Sequence, residues 1–213
     1  TPESKTSAAT SAVANVNDPL TGGVTIAGTA TQGQLLTASN TFTDADGMGT
    51  VSYQWKRAGV AISGATASTY TLVQADVGSA ITVTASYTDG RGTAESATSA
   101  ATAVVTNVND LPTGSVIITG TPTQNQVLTA SNTLADADGL GPITYQWKRG
   151  GVVISGATSS TYTLLEADVG SAITVTASYT DLTGVAENKT SAATVAVANV
   201  NDPLTGGVTI AGT

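Results

Sequence analysis

The 213-residue chain carries 15 acidic against 7 basic residues, a formal net charge of −8, yet only 10% of its positions are charged. That sparse acidity excludes the basic stripes that nucleic acids require and offers nothing to an anionic membrane surface. With neither Cys nor His, disulfides, thiol nucleophiles, zinc sites and Ser-His-Asp triads are excluded within the chain, while 40% hydrophobic content supports a buried core.

The chain repeats every 92 positions. Residues 18–109 and 110–201 match without a gap at 65 of 92 positions, Trp55 returns as Trp147, and Asn17-Asp18 returns as Asn109-Asp110 and Asn201-Asp202. A period of that length is a whole small domain and not a solenoid rung. Residues 1–16 match 93–108 and are expected to be the last strand of a preceding repeat. Residues 17–108 and 109–200 form two repeats, and 201–213 a linker with the first strand of a following one. The chain thus reads as an excerpt of a longer array. Its apolar runs are too short to span a bilayer.

Short Val/Ile/Thr/Tyr runs between Gly/Asp/Asn turns predict an all-β domain. In the first repeat, strand A is expected at 23–29, B at 34–42, C at 50–57, C′ at 60–63, E at 69–73, F at 80–88 and G at 94–106. Adding 92 gives the second repeat. On strand F, Ile81, Val83, Ala85 and Tyr87 alternate with Thr82, Thr84, Ser86 and Thr88, the pattern of a sheet with one face buried and one in water. Trp55 and Trp147 belong to the core. Seven strands in about ninety residues is the size of an immunoglobulin-like β-sandwich.

Tyr53-Gln54-Trp55-Lys56-Arg57, then Thr69-Tyr70-Thr71-Leu72, then Asp76-Val77-Gly78 before strand F resemble the immunoglobulin pattern of a strand-C Trp, a Tyr-x-Leu on E and an Asp-x-Gly before F. The strand B and F cysteines and the corner Tyr are missing from it.

All eleven aspartates fall on five repeat-equivalent columns, 18/110/202, 44/136, 46/138, 76/168 and 89/181. In a seven-strand sandwich the B–C and F–G loops lie at one end, beside the entry to strand A, and the E–F turn lies at the other. Stacked domains would therefore bring Asp76 of the first, Asn107, Asn109 and Asp110 of the linker, and Asp136, Asp138 and Asp181 of the second to one junction. Asn15, Asn17, Asp18, Asp44, Asp46 and Asp89 form the equivalent set facing a preceding domain, and Asp168, Asn199, Asn201 and Asp202 half of the next. Each like-charge pair at 4–5 Å costs about 3–4 kcal/mol even at an effective dielectric of about 20. The carboxylates must splay, take up protons or bind cations, and calcium suits them because it takes about 6–8 oxygens from carboxylates, amides and carbonyls. Taken singly, Asp-Gly and Asn-Asp-Pro are ordinary turn chemistry; their convergence favours calcium.

The same constellation is similar to cadherin repeats, with Asp44-Ala45-Asp46 as the B–C motif and Asn15-Val16-Asn17-Asp18-Pro19-Leu20 and Asn107-Val108-Asn109-Asp110-Leu111-Pro112 as linkers. Asn replaces the first linker Asp, Pro or Leu replaces the last Asn, and the strand-A Glu is absent, with Gln32 and Gln124 nearby. The whole chain also resembles the extender regions of giant bacterial surface adhesins. That resemblance implies a secreted or cell-surface location and a mechanical role in which calcium stiffens joints between neighbouring repeats. Two alternatives stay open. One is a self-assembling filament or matrix subunit in which identical chains pair strands; the other is a calcium-dependent polysaccharide-binding module, which the inward-reading aromatics disfavour. No enzyme is expected. Glu95 and Glu187 read as solvated edge charges, and Lys56-Arg57 and Lys148-Arg149 as solubilising positions.

Overall fold

A computed structural model describes residues 1–201, 206–207 and 209–211. The chain divides into two compact units, Thr1–Val108 and Asn109–Thr213. Asp202 lies outside the described residues, as do Val208, Gly212 and Thr213 of the strand expected after it.

Unit 1 contains β1 (Val24–Ala27), β2 (Leu35–Asn40), β3 (Ser52–Arg57), β4 (Val60–Ala61), β5 (Thr69–Thr71), β6 (Ile81–Thr88) and β7 (Ala94–Thr98), with a 3-10 turn at Gln74–Asp76. Unit 2 repeats the series as β8 (Val116–Thr119), β9 (Val127–Asn132), β10 (Thr144–Arg149), β11 (Val152–Val153), β12 (Thr161–Thr163), β13 (Ile173–Thr180) and β14 (Ala186–Thr190), with the turn at Glu166–Asp168. In each unit a three-stranded sheet (β1-β2-β5 or β8-β9-β12) faces a four-stranded one (β4-β3-β6-β7 or β11-β10-β13-β14), and all of these pairings are antiparallel. This is the all-β, seven-stranded immunoglobulin-like sandwich.

Alternation builds the core. Trp55 on β3 pairs with Val83 on β6 and Tyr53 with Ala85, so the apolar set of both strands points one way. Trp55, Leu36, Ile81, Val83 and Ala85 are fully buried, as are Trp147, Leu128, Ile173, Val175 and Ala177. Burial of a large apolar side chain contributes about 1.5–3 kcal/mol. The indole N–H of each Trp cannot be left bare in such a core; it donates to Ala67 O or Ser159 O at 2.9 Å. Tyr70 and Tyr162 stack on the two indoles, with ring centroids 5.8 and 5.7 Å away.

The strand expected at 94–106 is broken. β7 ends at Thr98 because Ser99 and Thr102 satisfy β6 with hydroxyls in place of carbonyls: Val83 N–H donates to Ser99 Oγ at 3.1 Å and Ile81 N–H to Thr102 Oγ1 at 3.0 Å. Beyond the break the chain crosses towards the other sheet, where Thr106 forms a parallel bridge with Thr31. Residues 1–16, read as a strand, are exposed and hold no regular secondary structure.

Candidate metal site

Three segments of unit 2 meet at one end of its sandwich. The loop after β9 carries Asp136 and Asp138, the turn after β13 carries Asp181, and β14 carries Glu187. The first loop is shaped by its glycines. Gly139 has φ +91°, and Gly141 passes so close to β13 that a Cβ there would stand 2.1 Å from the Thr180 carbonyl oxygen. Asp136 Oδ1 accepts the Asp138 N–H at 2.9 Å, closing the tight turn. Asp138 Oδ2 in turn accepts the backbone N–H of Asp110 at 2.7 Å, so the loop holds the segment that leads into β8.

Glu187 is the residue that sequence reasoning missed. It is buried, only 7% exposed, and is no solvated edge charge. Its cross-strand partner is Tyr179, an inward residue, and partners across an antiparallel pair share a face. That register is the signal that could have found it. Glu187 Oε1 accepts from Asn109 Nδ2 at 2.7 Å. The Tyr179 hydroxyl lies against Glu187 Oε2 at 3.0 Å and also against Asp136 Oδ2. A phenol has one proton to donate, so two carboxylates compete for it. Burial, then the hydrogen bonds to Asp136 and Glu187, push the Tyr179 phenol well above its ordinary pKa.

Asp181 is 5% exposed, and its two oxygens have opposite fates. Oδ1 accepts from Thr183 N–H at 2.9 Å, Thr183 Oγ1 at 3.0 Å and Val185 N–H at 2.8 Å. Oδ2 is buried without a hydrogen-bond partner. Burial opposes ionisation of this carboxyl, but the donors of Val185, Thr183 and Gly184 together outweigh it and hold Asp181 below the usual carboxylate range. Asp136, Asp181 and Glu187 each offer a carboxylate oxygen within 4.8 Å of the other two, the one such group of three acids among the described residues. An ionised, buried oxygen with no donor beside two further carboxylates is a costly arrangement unless a cation completes it. The donor set is all oxygen and hard, which fits calcium or magnesium and no soft metal.

Unit 1 carries a near copy at its corresponding end. Tyr87 OH lies 2.6 Å from Asp44 Oδ2 and 3.0 Å from Glu95 Oε2. Asp46 Oδ2 accepts from Asp18 N–H at 2.8 Å, and Asn17 Nδ2 donates to Glu95 Oε1 at 2.9 Å. Asp89 Oδ1 accepts from Arg91 and Thr93 N–H at 2.8 and 2.7 Å, leaving Oδ2 buried and unpartnered.

The remaining expected ligands are placed otherwise. Asp76 and Asp168 are wholly enclosed. Asp76 accepts from Arg57 Nε at 2.7 Å, Tyr70 OH at 2.9 Å and Val73 N–H at 2.8 Å; Asp168 accepts from Arg149 Nε, Tyr162 OH and Leu165 N–H at 2.6, 2.8 and 2.8 Å. These carboxylates pin the turn before β6 or β13 inside their own unit, which corrects both their assignment to a junction and the reading of Arg57 and Arg149 as merely solubilising. Asn107 lies in unit 1 with its side-chain oxygen buried and unpartnered. Asn15, Asn199 and Asn201 are exposed. No described aromatic is exposed either, since all nine are buried or half-buried, so none offers a flat platform for a sugar ring.

No protein-family profile matches the chain, and no curated protein sequence does. Among solved structures it is similar to the three N-terminal domains of the bacteriophage RB49 Highly Immunogenic Outer Capsid protein, at 20% identity over 80% of this chain and TM-score 0.31. The chain spans 58% of that protein's chain. It is also similar to fibronectin(III)-like modules of Clostridium thermocellum CbhA, at 16% identity over 88% of this chain and 100% of that one, TM-score 0.33. Tandem Ig repeats of Dlar match at 11% identity over 85% and 97% of the two chains, TM-score 0.27. These neighbours are tandem immunoglobulin-like or fibronectin-like modules; at such scores the fold rests on the strand order of the two units themselves.

Proposed function

We propose that the chain is a pair of structural spacer modules of an extracellular bacterial repeat protein, an adhesin extender, in which calcium bound at the acidic end of each module holds the entering segment against its sandwich. The observation that carries this reading is Asp181, which has a buried, unpartnered Oδ2 and stands in one cluster with Asp136 and Glu187.

Within each unit, the boundary segment is tied to its own sandwich. Val108 N–H donates to Gln32 Oε1 in unit 1 at 3.1 Å, and the next residue, Asn109, donates to Glu187 in unit 2 at 2.7 Å. Asn109 donates to Glu187 of the cluster and Asp110 N–H to Asp138 in the same loop as Asp136, so a cation that holds these carboxylates in place against their mutual repulsion also fixes their hold on the entering chain. Calcium supplies that positive charge while accepting several oxygens in irregular geometry. Modules of this kind outside cells work with Kd values of about 10⁻⁴–10⁻³ M, which suits a site where every carboxylate oxygen but Asp181 Oδ2 already has a hydrogen-bond partner.

Calorimetric titration of calcium into the full chain tests the reading. Asp181→Asn keeps the Oδ1 acceptor and replaces the unpartnered oxygen with an amide. It should abolish binding at unit 2 while the far-ultraviolet circular dichroism stays unchanged. Wild-type calcium binding in that variant would overturn the site.

A further inference from the structure

The two acidic ends are not equal copies, and one substitution between the repeats separates them. In unit 1 the backbone N–H of Leu20 donates to Glu95 Oε2 at 2.7 Å. The equivalent residue of unit 2 is Pro112, which has no N–H to give. Glu187 Oε2 is therefore left with the Tyr179 hydroxyl alone, and that single proton is shared with Asp136. The burial of the two glutamates follows the same division: Glu187 is buried and Glu95 half-buried.

We infer that the chain holds two cation sites of unequal strength, resting on the calcium reading above, and that the residue at position 20 or 112 sets the difference. A peptide N–H beside a carboxylate oxygen occupies a lone pair and places partial positive charge where a cation would sit. Glu95 carries that competitor and Glu187 does not. The basic residues near the two ends balance in number. Unit 1 has Arg91 in the turn after Asp89. Unit 2 has Thr183 there and instead carries Lys189 on β14, whose Nζ donates to the Pro112 carbonyl at 2.9 Å. Each end thus has one basic residue in its neighbourhood, and the unpartnered aspartate oxygen is common to both, on Asp89 and Asp181. Two differences run the same way: among the described residues only unit 2 brings three carboxylates within 4.8 Å of one another, and its glutamate has one donor fewer, which is the difference a substitution can reverse. One charge-assisted hydrogen bond, removed or kept, corresponds to about a tenfold change in affinity.

The order of the dipeptide supplies a swap, because Pro19-Leu20 in unit 1 stands as Leu111-Pro112 in unit 2. Pro19→Leu with Leu20→Pro gives unit 1 the dipeptide that unit 2 already accommodates. The experiment titrates terbium and then calcium into the full chain, reading tyrosine-sensitised terbium emission and heat. The wild type should show two classes of site about tenfold apart, the stronger lost in Asp181→Asn and the weaker in Asp89→Asn. The swapped variant should show two classes of nearly equal strength. Two equal classes in the wild type, or a swap that leaves the tenfold gap in place, would overturn the inference while leaving calcium binding intact. Absence of any terbium or calcium binding would overturn the underlying reading as well.

Discussion

Tyr179 OH stands between Glu187 Oε2, at 3.0 Å, and Asp136 Oδ2, one proton facing two carboxylates in the most buried corner of the acidic end. Tyr179→Phe removes that proton and leaves both acids to repel each other. In chelator the variant should lose about 1–3 kcal/mol, the cost of stripping a partner from buried polar groups. Calcium should then stabilise it more than it stabilises the wild type. Urea unfolding with chelator and with calcium measures both shifts; an equal calcium increment in the two proteins would place the cation away from this hydroxyl.

The pH dependence follows from Asp181 and Asp89. Hydrogen-bond donors outweigh burial and hold both below the ordinary carboxylate range in the folded state. A depressed folded pKa contributes stability that is fully present above the unfolded value of about 3.9 and is lost as pH falls through the folded one. Urea midpoints should hold steady down to about pH 5 and fall below about pH 4. Asp89→Asn with Asp181→Asn should flatten that acid limb.

At the alkaline end the sign reverses. Burial, then hydrogen bonding to carboxylates, raises the phenols of Tyr87 and Tyr179. A raised folded pKa contributes stability that is complete below the unfolded value of about 10 and is lost as pH climbs towards the folded one. A spectrophotometric titration should show some of the six tyrosines ionising only with alkaline unfolding. Reversible ionisation of all six on the native protein near pH 10 would contradict the packing of Tyr87 and Tyr179.

Arg149 and Asp168 make a different kind of pair. Asp168 is fully enclosed and Arg149 about a third exposed, so Arg149→Met leaves a buried carboxylate without its charge partner. A loss of about 3 kcal/mol is expected, the lower end for breaking a buried ion pair because the arginine is partly solvated. Calcium affinity should not change in Arg149→Met, and calcium should not restore the lost stability. A drop in calcium affinity would return Asp168 to the ligand set.

Much of this was legible before any coordinates. Periodicity alone marked Trp55, Ile81, Val83 and Tyr87 as one inward stripe, because alternation along a strand encodes which face meets the core. The Asp-x-Asp loop and the turn at Asp89 were legible as loop acids, since Asp and Gly at those spacings leave little else for the chain to do. Glu187 was not, because its burial depends on pairing with Tyr179, a register relation between strands that no single segment displays. Asp168 misled for the opposite reason: a turn aspartate reads as solvent-facing until the arginine nineteen positions earlier is folded onto it. The break at Ser99 was hidden too, since Ser and Thr look like strand residues until their hydroxyls displace the ladder.

The central claim, that calcium stiffens this chain, is tested most directly by small-angle X-ray scattering with calcium and with chelator, on the wild type and on Asp136→Ala with Asp138→Ala. A calcium-stiffened chain gives a narrower and more extended distance distribution in calcium, lost in the double variant while both sandwiches stay folded. Superimposable wild-type curves under the two conditions would contradict it and leave the acidic ends as turn chemistry alone.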